Sequence, residues 1–140
     1  MIDGERVVHE VRYDHPVQSV WHALTDQAAL AAWLMPNDFA PSVGHRFRLD
    51  ARPEFGFIEG EVLDVHPPHL LRCAWTVAGV ATTVTVRLDP DGDGTLLRLE
   101  HDGLPPGPRD SFEGGWDAKL QHDLGLVLTK SRFPDPEVPQ

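Results

Sequence analysis

Five large apolar residues recur every fourth position near the end of this chain: Phe112, Trp116, Leu120, Leu124 and Leu128, with Val127 beside the last. That period is helical and predicts an amphipathic helix over 110–130. Asp110 is placed to accept the backbone N–H of Glu113 and Glu113 to reach back, a capping box. Pro105, Pro106 and Pro108 are expected to keep the preceding segment out of the helix. Lys130 and Arg132 suit the negative end of the helix dipole, and Pro134 forbids continuation. Gly114, Gly115 and Gly125 each cost roughly 1 kcal/mol of helix propensity. Their presence points to a close backbone approach by a sheet or a bound molecule, or to a weak first turn. A helix of about 30 Å with one apolar stripe needs a large apolar partner surface, which the rest of the chain must supply.

The preceding sequence does so with period two. Val7, His9, Val11 and Tyr13 share one face of a first strand. Two short helices follow. The first opens at Asp14-His15-Pro16 with the stripe Val17, Val20, Trp21 and Leu24, and the second is capped by Asp26, buries Leu30, Trp33 and Leu34, and stops at Pro36. Five further strands are expected: Val43–Asp50 with His45, Phe47 and Leu49 on one face; Phe55–Val65; His69–Val77 with Leu71, Cys73, Trp75 and Val77 together; Val80–Leu88 with Val84 and Val86 inward; and Thr95–His101 with Leu97 and Leu99. Their short connections predict an antiparallel meander with one buried face. The expected fold is α+β, a curved antiparallel sheet of about six strands wrapped around the long C-terminal helix. It forms one domain over 1–133, followed by a disordered tail over 134–140.

Charge and composition narrow the function. Twelve basic against 22 acidic side chains give a formal charge of −10 and no Lys/Arg run, which argues against nucleic acid and anionic membrane. No apolar run approaches a membrane span and no secretion signal is visible, so the chain reads as cytoplasmic. The lone Cys73 sits in a strand pattern and reads as a small core hydrophobe.

The series Asp89-Pro-Asp-Gly-Asp-Gly with Glu100 matches a calcium-loop pattern. However, Thr95–Glu100 reads as strand and would carry Glu100 about 20 Å away, so a tight acidic hairpin turn is favoured. Eight histidines include no i, i+4 helical pair and no HExxH, and no CxxC motif accompanies them, so no metal site and no cofactor are expected. His66 and His69 flank a Pro-Pro turn. His45 and His101 share strand faces with apolar residues and read as hydrogen-bonded core histidines or as polar anchors in a cavity.

Several stretches together resemble the SRPBCC (START-like, Bet v 1-type helix-grip) superfamily, and within it the activator-of-heat-shock-protein-90-ATPase homologues. They are Pro16-Val-Gln-Ser-Val-Trp-His-Ala-Leu-Thr-Asp, Leu30-Ala-Ala-Trp-Leu-Met-Pro, Gly60-Glu-Val-Leu-Asp-Val-His-Pro-Pro, Leu71-Arg-Cys-Ala-Trp, and Leu97-Arg-Leu-Glu-His-Asp-Gly-Leu ahead of Gly115-Trp116. The resemblance implies a cavity between sheet and C-terminal helix and no fixed catalytic set. Closest members often carry two adjacent tryptophans after the second helix. Here Trp33-Leu34 stands in that place, a change at the expected cavity mouth.

The expected function is therefore binding of a hydrophobic or amphipathic small molecule, lipid or aromatic. Its lining is Phe47, Leu49, Leu71, Trp75, Val84, Val86, Leu97, Leu99, His101, Trp116, Leu120 and Leu124, with His45 as a possible polar anchor. The segments Pro36–Ser42 and Gly103–Arg109 are expected at its rim. Two alternatives are a chaperone-modulating or partner-binding domain, which needs an exposed apolar patch, and a polyketide cyclase/dehydratase-like enzyme, which needs an acid/base histidine in the cavity.

Overall fold

The computed structural model describes residues 5–53, 56–77 and 79–131; the expected tail at 134–140 lies outside them. The elements run β1 (Glu5–Tyr13), α1 (Val17–Thr25), α2 (Gln27–Trp33), β2 (Arg46–Ala51), β3 (Gly56–His66), β4 (Leu70–Val77), β5 (Val80–Asp91), β6 (Gly94–Leu104), α3 (Pro106–Ala118), a π-turn (Lys119–Asp123) and α4 (Leu124–Ser131). Six strands form one curved antiparallel sheet in the order β1-β6-β5-β4-β3-β2, as the alternating pattern predicts. The meander follows the sequence, and β1 alone is displaced, lying beside β6 with Tyr13 opposite Thr95.

Alternation sets the core. Leu71, Cys73, Trp75 and Val77 of β4, Val84, Val86 and Leu88 of β5, and Leu97 and Leu99 of β6 are all buried on the concave face. The convex face carries cross-strand ion pairs, including Arg12 with Asp91 and Arg98 with Glu10. The short helices close one side of the concave face. Asp26 caps α2 by accepting the Ala29 N–H at 2.9 Å, and the Trp33 indole N–H donates to the Ala23 carbonyl at 2.8 Å, tying α2 to α1.

Asp89–Gly94 is the tip of the β5–β6 hairpin: Asp89 and Pro90 still pair in β5, Asp91 lies opposite Gly94, and the turn itself is Gly92-Asp93, with Gly92 in the left-handed region at φ +62°. Arg12 donates through Nε to the Asp91 carboxylate at 2.8 Å, and Glu100 sits in β6 opposite Thr85. Strand β2 starts at Arg46, later than expected, and leaves His45 outside it.

The long helix differs from expectation at its start. It begins at Pro106, not at Asp110. The first turn of a helix has no intrahelical acceptors for its N–H groups, so Pro106 and Pro108 sacrifice no bond there. Arg109 N–H makes the first intrahelical bond, to the Pro105 carbonyl at 2.9 Å. Asp110 and Glu113 form no capping box. Glu113 instead pairs with Arg109 at 3.0 Å, one turn back.

The π-turn explains how a strict four-residue repeat stays buried. In an α-helix each four-residue step overshoots by about 40°, so four steps would swing Leu128 nearly to the opposite face. A turn holding one extra residue takes back about 100° of that drift. Phe112, Trp116, Leu120, Leu124 and Leu128 are accordingly all between 0% and 8% exposed. Within the turn Leu124 N–H bonds to the Lys119 carbonyl, five residues back. The Leu120 carbonyl, which an α-turn would pair with Leu124, accepts the buried Tyr13 hydroxyl at 2.6 Å. Burial alone pushes the Tyr13 phenol pKa up, so it remains a donor throughout the accessible range. Tyr13→Phe removes this donor with little change of shape and is expected to cost roughly 1–3 kcal/mol in a urea melt. A loss near zero would mean that the π-turn holds without it.

Candidate ligand cleft

At one end of the sheet–helix interface the two layers part. A cleft of about 350 Å³ opens there between the end of α2, the β2–β3 hairpin and α3. Its floor is aromatic: the Trp75 and Trp116 rings lie 5.5 Å apart at 33°, and Phe112 meets Trp75 at 6.4 Å. Leu34, Met35 and Pro36 from the end of α2 form one wall, Asp50, Ala51, Arg52 and Ile58 another, and Ser111, Gly115 and Lys119 of the helix the third. A Cβ built on Gly115 meets nothing within 4 Å, so the missing side chain there is open space within the cleft.

Behind the floor lies a much smaller void of about 50 Å³. Phe47, Leu49, Leu71, Trp75, Val84, Val86, Leu99 and Trp116, eight of the twelve residues expected to line a ligand cavity, surround this void. That is room for a water or two, not for a lipid. Leu97, Leu120 and Leu124 are 0% exposed and border neither space. Trp75 and Trp116 alone among the expected lining face both spaces, and Leu34 stands between them as well. Of the expected rim, Pro36 lines the cleft, whereas Gly103–Arg109 is taken up by the end of β6 and the start of α3. Gly60 explains part of the tight packing, since a Cβ there would lie 2.3 Å from the Phe47 ring directly across the strands.

Both candidate histidines have defined partners. His101 is fully buried behind the aromatic floor. The Trp116 indole N–H can only donate, so His101 Nδ1 accepts from it at 3.1 Å and carries no proton. The proton therefore sits on Nε2, which donates to Thr82 Oγ1 at 2.8 Å, and the Thr82 hydroxyl donates onward to the Trp75 carbonyl at 2.7 Å. The chain Trp116–His101–Thr82–Trp75 joins helix to sheet with every group satisfied. A second proton on the ring would point at the indole N–H, and burial already lowers the His101 pKa to about 3. His45 lies away from the cleft, its Nε2 2.9 Å from the Asp38 carbonyl. The Cys73 thiol, pushed up to about 12 by burial, is an inert core group.

The charged rim is partly self-neutralised. Arg52 donates through Nε and Nη2 to the two oxygens of Asp50, each at 2.8 Å, and this fork holds the Asp50 pKa down to about 2. The Arg52 guanidinium also lies 4.7 Å from the centre of the Phe57 ring.

The profile of the activator of Hsp90 ATPase homologue 1-like proteins matches residues 14–128. The chain belongs to this family. Among solved structures, protein MLL2253 from Mesorhizobium loti is 34% identical with a TM-score of 0.82, the match covering 91% of this chain and 98% of that one. CalU16 from Micromonospora echinospora is 30% identical with a TM-score of 0.76, over 91% of this chain and 78% of its own. An Hsp90 activator from Plasmodium falciparum shares the fold with a TM-score of 0.77 at 23% identity, over 90% and 97% of the two chains. No curated protein matches the sequence. Membership of the Hsp90 ATPase activator homologue family establishes the helix-grip architecture and leaves the cleft chemistry to the residues that line it. Among the described residues no helix is long and apolar enough to cross a membrane.

Sequence reasoning missed Ala31, Ala51, Ser111 and Lys119, which border the cleft. Their signal was available in the stripe Ser111, Gly115, Lys119, which runs at four-residue intervals beside the apolar one.

The buried neutral imidazole has a pH consequence. Below its ordinary value of 6.5 the unfolded chain takes up a proton at His101 that the native state refuses until about pH 3. The stability tied to this group is therefore complete above about pH 6.5 and falls as pH drops toward 3, by up to roughly 1.4 kcal/mol per pH unit. In urea melts between pH 4 and 7 the wild type should lose stability on acidification more steeply than His101→Gln by about this slope. Equal slopes would place the imidazole in contact with solvent.

Proposed function

We propose that the protein binds a hydrophobic or amphipathic small molecule, a lipid or an aromatic compound, in the cleft between α2, the β2–β3 hairpin and α3. The cleft itself carries this reading: about 350 Å³ lies over an aromatic floor, kept open where Gly115 has no side chain. Preformed concave sites with apolar walls and a few polar groups are the usual form of small-molecule sites. Affinity would come from covering Ala31, Met35, Pro36 and Ala51, the more exposed apolar side chains of the walls, together with the ring edges left open at the floor.

The cyclase-like alternative needs a proton donor or acceptor working near neutral pH. His101 has both nitrogens engaged and a lowered pKa, and His45 is outside the cleft. The partner-binding alternative needs a contiguous apolar patch. The large exposed apolar residues among those described, Val8, Val43, Phe57, Val80 and Leu126, sit on five different segments of the fold.

A neutral polarity-sensitive dye such as phenylnaphthylamine tests the site. Roughly one dye per chain is expected. Gly115→Leu should fill the cleft and abolish binding, while raising stability by about 0.5–1 kcal/mol through helix propensity. Gly114→Leu makes the same helix change on the exposed side and should leave binding intact. Absence of dye binding in the wild type, or unchanged binding in Gly115→Leu, would remove the cleft as the site.

A further inference from the structure

The protein as a whole is strongly acidic, at −10, but the cleft is not. The charged residues lining it are Asp50, Arg52 and Lys119, one carboxylate against two cations. The Asp50–Arg52 fork is closed on itself, with both carboxylate oxygens taken. Lys119 differs. Among the described residues no carboxylate lies within ion-pair distance of it, and Asp123, four residues on, engages His122 at 3.0 Å. A half-buried lysine that borders a cleft with an aromatic floor is complemented by an anion that brings its own apolar body.

The placement narrows the anion. Ser111, Gly115 and Lys119 form one stripe along the helix wall, about 6 Å per step, so the wall offers a hydroxyl, a gap and a cation over about 12 Å. Phosphate recognition uses several convergent donors, commonly a free guanidinium fork or a glycine-rich loop. Here Asp50 neutralises Arg52 and takes two of its five N–H donors, which leaves one net positive charge, that of Lys119, and suits a singly charged group. Resting on the cleft as the ligand site, we propose that it selects a carboxylic acid carrying an elongated apolar or aromatic body, with Lys119 as the contact for the carboxylate.

Two dyes sharing an aromatic body separate this proposal from the binding reading beneath it. Anilinonaphthalenesulfonate carries one negative charge, and phenylnaphthylamine carries none. Lys119→Met keeps the aliphatic stem and removes the charge. It should weaken the anionic dye about tenfold and leave the neutral dye within about twofold, whereas Lys119→Arg should retain both. Decanoate should displace the neutral dye at lower concentration than decanol, and this advantage should disappear in Lys119→Met. Raised salt should erode the anionic preference of the wild type. Equal weakening of both dyes would mean that Lys119 contributes only its stem, and no change in either would mean that its ammonium serves the solvent; both outcomes overturn the selection of acids while leaving the cleft in place. A wild type that binds neither dye removes the cleft reading and this proposal with it. A thermal melt of each variant confirms that the fold persists.

Discussion

A stripe of side chains spaced by four cannot stay on one side of a regular α-helix, and much of this structure follows from that mismatch. The helix resolves it by widening one turn at Lys119–Asp123, so that Leu120 and Leu124 point into the sheet together with Phe112 and Trp116. A widened turn disturbs the carbonyl ladder, and the last residue of β1 answers with the Tyr13 hydroxyl. The first strand is thus bound to the middle of the last helix by a polar contact as well as by burial. The same turn begins at Lys119, the residue that also borders the cleft, so the helix distortion and the open end of the interface meet at one position.

Helix and sheet are pinned a second time through His101. Buried polar groups stabilise only when every partner is present, and this imidazole has an acceptor role toward the helix and a donor role toward the sheet. The arrangement takes the ring out of proton chemistry. It also fixes the Trp116 indole by its own N–H, and Trp116 packs against Trp75. The aromatic floor is therefore held from behind by hydrogen bonds, and its accessible side is left apolar.

Strand faces, the two short helices and the inward stripe were legible because burial follows period, as Leu71, Cys73, Trp75 and Val77 illustrate. The helix start was not. Proline counts as a breaker only where an N–H is required, and at Pro106 and Pro108 none is. The π-turn left a trace in the unbroken four-residue spacing, but that spacing also reads as an ordinary helical stripe. The site was legible only in part. A periodic pattern shows which side chains face inward, not whether they fill the space they face. Here Phe47, Leu49, Leu71 and their neighbours nearly fill it, leaving about 50 Å³. The larger opening arises where small residues, Ala31, Ala51 and Gly115, meet from three elements, a coincidence that no single segment displays.

The displaced first strand imposes an order of events during synthesis. Strand β1 pairs within the sheet only with β6, and Tyr13 meets Thr95 roughly eighty residues later in the chain. The other strands each find a partner in the next hairpin. At about 5–20 residues per second, β1 emerges from the ribosome several seconds before its partner exists. In that interval Val7, Val11 and Tyr13 form a nascent apolar edge, interrupted by the charges of Arg6, Glu10 and Arg12, which discourage pairing with other chains. Closure of β1 onto β6 therefore has to wait for the end of the meander, and it sets Tyr13 where its hydroxyl meets the Leu120 carbonyl.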